Sequence, residues 1–129
     1  MSLPRIGVDL VPITRVGELL APGAGPVLHR MLSERELRIS VTPDGEPDRA
    51  GLAGRLAAKE AVFKLFGAAG RPVPWQGIEI LRGPGGRPEV RLAGPAAELA
   101  ARAGLGPIDI SISHDGGFAI AVAAAITAP

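Results

Sequence analysis

One long helix organises this sequence. From about Arg49 to Phe66, the residues Leu52, Leu56, Phe63 and Phe66 recur near helical spacing, and Gly67 supplies a C-terminal stop. Elsewhere the pattern shifts towards strands. In RIGVDLV, Ile6, Val8 and Leu10 alternate with Gly7, Asp9 and Val11. GIEILRGPGGRPEVRLAG predicts a hairpin turning at GPGG. IDISISHDGGFAIAVAAAI predicts two strands joined by a tight HDGG turn, with Ile108, Ile110 and Ile112 on one face and Asp109, Ser111 and Ser113 on the other. GPVLHRMLSERELRIS reads as helical, and Ser33 with Glu36 fits a capping box that starts a second short helix. VTPDGEPDRAG is a loop, and Pro95 opens a short helix through AAELAARA. Mixed helix and strand over 129 residues predicts one domain, residues 1–129.

Composition removes several classes of chemistry. Cysteine is absent, so this chain offers no thiolate for catalysis, zinc-finger ligation or disulfides. The formal net charge of +1 gives no field that points to nucleic acid or a membrane surface. MSLPRIGVDLV does not read as a signal peptide, and FAIAVAAAI is too short to span a bilayer as a helix. A cytoplasmic protein is the expectation.

The only two lysines among fourteen basic residues, Lys59 and Lys64, lie in the long helix on either side of Glu60. Glu60 and Lys64 are four apart and share a face, so they form either a surface ion pair or part of a site. Lysine is a compact point charge that can meet a phosphate oxygen end-on and is a usual choice for a cradled phosphate, whereas arginine is a flat fork. Lys59 points about 100° away; it either serves the other side of the same ligand or stands in solvent. Asp9 is a carboxylate in an apolar strand, which requires water, a cation, an arginine or strong donors opposite it. His114 ends a strand and is either a turn residue or a catalytic one. His29, among apolar helical residues, reads as structural. Two histidines and no cysteine disfavour zinc, whereas two carboxylates with phosphate oxygens suit Mg²⁺.

Taken together, IGVDLV at 6–11, AAKEAVFK at 57–64 and SISHD at 111–115 resemble the holo-acyl-carrier-protein synthases, the small trimeric type of phosphopantetheinyl transferase. The resemblance runs from the first strand to the last hairpin. It implies an α+β fold, an antiparallel sheet packed against a long helix, assembled as a homotrimer. It also implies transfer of 4′-phosphopantetheine from coenzyme A to a serine of an acyl or peptidyl carrier protein, with release of adenosine 3′,5′-bisphosphate. By the same resemblance Asp9 and Glu60 bind Mg²⁺, Lys64 neutralises phosphate charge, and Asp9 or Glu60 is the candidate base. Arg55, Gly67 and His114 would meet coenzyme A, with Arg55 and His114 approaching from one subunit and Asp9, Glu60 and Lys64 from its neighbour. Gly67 serves equally as a helix stop. Arg15 and Arg30 match the family's carrier-contacting arginines. Many relatives carry an aromatic at the position of Leu56, which bears on coenzyme packing, and an acid at that of Pro12, which leaves a third protein ligand of the metal unassigned. Two other classes compete: a different Mg²⁺-dependent enzyme acting on a nucleotide or diphosphate, and a non-catalytic carrier-binding module.

Overall fold

The computed structural model describes residues 3–128. Strand β1 (Leu3–Pro12) leads into helices α1 (Ile13–Leu20), α2 (Val27–Met31) and α3 (Glu34–Ile39), and then into the long helix α4 (Arg49–Leu65). The hairpin β2 (Ile78–Arg82) and β3 (Pro88–Leu92), helix α5 (Gly94–Arg102), and strands β4 (Asp109–Asp115) and β5 (Phe118–Thr127) complete the chain. The main sheet is antiparallel in the order β1–β5–β4, and β2–β3 form a separate two-stranded sheet.

The long helix starts where Asp48 accepts a hydrogen bond from the Gly51 N–H and stops before Gly67, whose φ of +64° suits glycine. The Ser33 capping box is formed, and it breaks the 26–40 region into α2 and α3. Helix α1 was not expected from the sequence. Pro12, Thr14 and Gly17 are poor helix markers, yet Val16 carries this short helix into the core.

The sheet packs on α4 through small residues. Ala119, Ala121, Ala123 and Ala125 of β5 point inward, and Ala53, Ala57, Ala58 and Ala61 of α4 are buried with them. Gly7 of β1 takes the closest place, where a Cβ would come well under 3.0 Å from the Ala61 carbonyl oxygen. The large side chains lie on the opposite face. Ile6 is 72% exposed, and Leu3, Val8, Leu10, Phe118, Ile120, Val122 and Ile126 are also exposed. The alternation in RIGVDLV is therefore real, but its bulky face points away from the helix and its Gly7–Asp9–Val11 face points towards it. This register delivers Asp9 to α4.

Candidate active site

Asp9 extends from the inner face of β1 towards Glu60 and Lys64 on α4. Lys64 Nζ donates to the Val8 carbonyl oxygen at 2.7 Å and lies 3.4 Å from Asp9 Oδ1. The expected Glu60–Lys64 ion pair is not among the salt bridges of the described residues, because Lys64 swings to β1 instead. Its side chain remains 54% exposed, against 16% for Asp9.

Asp9 Oδ2 is buried without a hydrogen-bond partner. Two ionised carboxylates cannot bond each other, so one must keep a proton or a cation must lie between them. Glu60 responds in this way. Its own burial, then the adjoining Asp9 carboxylate and its charge, push its pKa from 4.5 up to about 7, while Arg15 and Lys64 pull it down. An orphaned carboxylate oxygen beside a proton-retaining carboxyl is a donor set that fits a hard divalent cation such as Mg²⁺. Among the described residues no group of three or more His, Cys, Asp or Glu side chains could hold a metal. The pair alone would hold it, with water and phosphate oxygens completing the shell.

His114 and Arg55 meet at a second place. With Arg82, Gly51, Gly54, Gly86 and neighbouring apolar residues they line a pocket of about 230 Å³. Asp9, Glu60 and Lys64 do not line it. Arg55 is almost wholly buried and donates its Nε to the Ile80 carbonyl oxygen at 3.0 Å. Desolvation lowers its pKa first, Glu36 opposes that, and the nearby Arg82 guanidinium lowers it further. His114 Nε2 lies 2.8 Å from the Ala50 carbonyl oxygen. A carbonyl only accepts, so Nε2 carries the proton and Nδ1 is left to face the pocket or solvent. Gly54 makes this approach possible, since a Cβ there would stand 3.0 Å from Ile112 and 3.2 Å from His114 Nε2. Two guanidiniums and an imidazole around one concavity form an anion-binding arrangement. Arg82 was missed in the sequence, where nothing distinguishes a basic residue at the end of a strand.

Lys59 overturns both sequence expectations for it. It neither faces a ligand nor stands in solvent: Lys59 and Glu36 are both 0% exposed, with Nζ 2.7 Å from Oε1. Helical spacing gave the direction of Lys59 but not its partner on α3. His29 is on α2 as expected, with its ring exposed rather than packed. Arg15 on α1 and Arg30 on α2 are exposed, and the charge of Arg15 reaches Glu60. Gly67 lines a separate concavity of about 270 Å³ with Arg5, Arg71 and Arg102. That concavity lies between the C-terminal ends of α4 and α5, where cations offset the helix dipoles, and Arg5 donates to the Leu65 carbonyl oxygen at 2.8 Å.

A sequence profile described as the 4′-phosphopantetheinyl transferase superfamily matches residues 5–123. The holo-[acyl-carrier-protein] synthase of Frankia casuarinae is 38% identical over 127 residues, covering 98% of this chain and 100% of that protein. The crystal structure of Helicobacter pylori holo-[acyl-carrier-protein] synthase in complex with coenzyme A superposes with a TM-score of 0.77 at 29% identity, over 94% of this chain and 99% of that one. The ACPS–CoA complex of Chronobacterium ammoniagenes gives 0.78 at 34% identity, over 98% and 99%.

Proposed function

The chain belongs to the 4′-phosphopantetheinyl transferase superfamily, and from that premise we propose that it moves phosphopantetheine from coenzyme A to a serine of a carrier protein. The observation that carries the reading for this chain is the Asp9–Glu60 pair beside Lys64. The serine oxygen attacks the phosphorus that bears pantetheine, the bond to the bridging oxygen breaks, and adenosine 3′,5′-bisphosphate leaves. A bound Mg²⁺ would neutralise the two carboxylates and draw the coenzyme diphosphate to them. Lys64, exposed and tethered to Val8, offsets negative charge on the phosphate under attack or on the leaving group. Asp9 or Glu60 is the candidate to accept the serine proton.

Arg55, Arg82 and His114 provide the complementary anion site for coenzyme A, whose 3′-phosphate is its isolated dianion. This pocket and the carboxylate pair lie on different sides of α4. A symmetric trimer in which one copy offers the first and its neighbour the second would unite them. The exposed face of the β1–β5–β4 sheet supports such an assembly, because large apolar residues of β1 and β5 point outward while the inward face of β5 is alanine. Arg15, whose charge reaches Glu60, and Arg30 are both exposed and suit an acidic carrier surface. Among the described residues no helix is long and apolar enough to cross a membrane.

The test is to incubate the protein with coenzyme A, Mg²⁺ and an apo acyl carrier protein and weigh the carrier. A gain of one phosphopantetheine group is expected. An unchanged carrier mass, with the protein folded and Mg²⁺ present, would refute the activity and leave a non-catalytic binding module.

A further inference from the structure

A buried polar network connects α3 and β2 to α4, behind the Arg55 pocket. Glu36 Oε1 accepts the Ser33 N–H at 2.9 Å and Lys59 Nζ at 2.7 Å, and Glu36 Oε2 accepts the Ile80 N–H at 2.9 Å. Lys59 Nζ also donates to the carbonyl oxygens of Trp75, at 2.7 Å, and Ile78. An ammonium has three donors, and all three are used. Ile80 is thereby held through both peptide groups that flank it: its N–H by Glu36, and its C=O by Arg55 Nε at 3.0 Å. Arg55 has committed Nε to this carbonyl, so the direction of its two terminal nitrogens depends on where that peptide sits.

We propose that Glu36 and Lys59 are positioning residues for coenzyme A binding: the buried pair clamps the backbone of β2 at the Ile78 carbonyl and the Ile80 N–H, and the Ile80 carbonyl that follows aims Arg55 into the pocket it shares with His114. The pair touches no substrate. An ion pair that only stabilised the fold could be replaced by apolar side chains of similar size at little cost. This pair does more than fill space, because it holds the residue whose carbonyl orients a binding arginine. A fully satisfied network of this kind specifies one geometry, and a displacement near 1 Å is enough to spoil a phosphate contact. The proposal rests on Arg55 meeting coenzyme A, as read above.

The experiment compares Glu36→Met/Lys59→Met, Glu36→Gln and Arg55→Ala with the unaltered enzyme, fold being checked by thermal unfolding. The double variant removes both charges together and leaves no unpaired buried ion. Kinetics are measured with coenzyme A and with 3′-dephospho-coenzyme A. In the double variant KM for coenzyme A should rise about tenfold while kcat stays within about threefold, the signature of lost binding rather than lost chemistry. Its preference for coenzyme A over the dephospho form should shrink as it does in Arg55→Ala, and adding Arg55→Ala to it should cost little more. Glu36→Gln keeps the shape and an acceptor, and should move KM in the same direction by a smaller factor. A folded double variant, or Glu36→Gln, with unchanged KM and unchanged preference overturns the clamp. Additive losses on combination with Arg55→Ala also overturn it. If Arg55→Ala itself changes neither quantity, the coenzyme contact is wrong and the proposal falls with it; an affected Arg55→Ala beside silent Glu36 variants refutes the clamp alone.

Discussion

Gly7 lies so close to Ala61 that any side chain on it would collide with the helix backbone, its Cβ coming well under 3.0 Å from the Ala61 carbonyl oxygen. This approach sets the spacing between β1 and α4. It therefore also sets the spacing between Asp9 on one and Glu60 on the other. Gly7→Ala should push the two elements apart. The obstacle is backbone, which cannot rotate away, so the loss should reach or exceed the about 1–3 kcal/mol typical of overpacking. A lowered melting temperature and a transfer rate reduced beyond what the unfolded fraction explains are expected. A Gly7→Ala protein with an unchanged melting temperature would contradict the packing described.

Asp9→Asn should uncouple the carboxylates without altering their shape. It removes the charge that helps hold the Glu60 proton, so the Glu60 pKa should fall from about 7 towards 4.5, with burial still keeping it above that value. Transfer activity should be lost, as it should in Glu60→Ala, while the fold persists. A carboxyl NMR titration checks the first statement and a carrier-modification assay the second. Near-normal activity of both variants in Mg²⁺ would show that the ligands have been misassigned.

The raised Glu60 pKa also sets a pH dependence. Its folded value of about 7 exceeds the unfolded 4.5, so the folded protein holds a proton that the unfolded chain has released. In the absence of metal, that proton contributes stability below 4.5, and the contribution is lost as pH rises through about 7. Bound Mg²⁺ takes the proton's place, so stabilisation by Mg²⁺ should grow over the same interval. Melting curves with and without Mg²⁺ across this range should diverge as pH increases. Curves that remain parallel would exclude Glu60 as the titrating ligand.

The two lysines should respond to arginine in opposite ways. Lys64 is mostly exposed, so Lys64→Arg should fold normally, yet a phosphate contact displaced near 1 Å costs on the order of a hundredfold in turnover. Lys59→Arg forces a larger planar group among three fixed acceptors in a closed site, a change in stability of about 1–3 kcal/mol. The complete burial of Lys59, which the sequence does not announce, makes its substitution a matter of stability. Turnover measured beside melting temperature separates the cases, and a fully active Lys64→Arg enzyme would remove the point-charge role.

Assembly is open to the same kind of test. Light scattering at micromolar concentration should give the mass of a homotrimer. Val122→Glu, on the outward face of the central strand, should yield smaller species that fold but do not transfer phosphopantetheine. A monomeric mass for the unaltered protein would rule out a site shared between copies.

The sequence showed elements more clearly than their faces. The long helix, the capping box at Ser33, both hairpins and the glycine stop are local chemistry, and they stand within a residue or two of where the sequence puts them. Asp9, Glu60 and Lys64 are brought together by β1 lying on α4, in keeping with the resemblance that singled them out. What stayed hidden depends on distant partners. Nothing near Lys59 announces Glu36, which is 23 residues away, or the strand carbonyls that complete its shell. Likewise, period-two alternation divides β1 and β5 into two faces without saying which is inner. Here the alanine and glycine faces are inner, because a helix lying this close leaves no room for larger groups.

The order of strands has a consequence for how the protein comes into being. The central strand of the main sheet is β5, and β1 pairs with it and with no other strand of that sheet. The Leu3 carbonyl oxygen is bonded by Thr127, 124 residues further along the chain. During synthesis, β1 emerges first and has no strand to bond until nearly everything else described here has been made. Until then Asp9 stands on an unpaired ribbon, and the loop to be closed is almost the whole chain. The Asp9–Glu60 pair therefore cannot be set by early local folding. It is completed when β5 slides between β1 and β4, so the carboxylate pair waits on the strand furthest from Asp9 in the described chain.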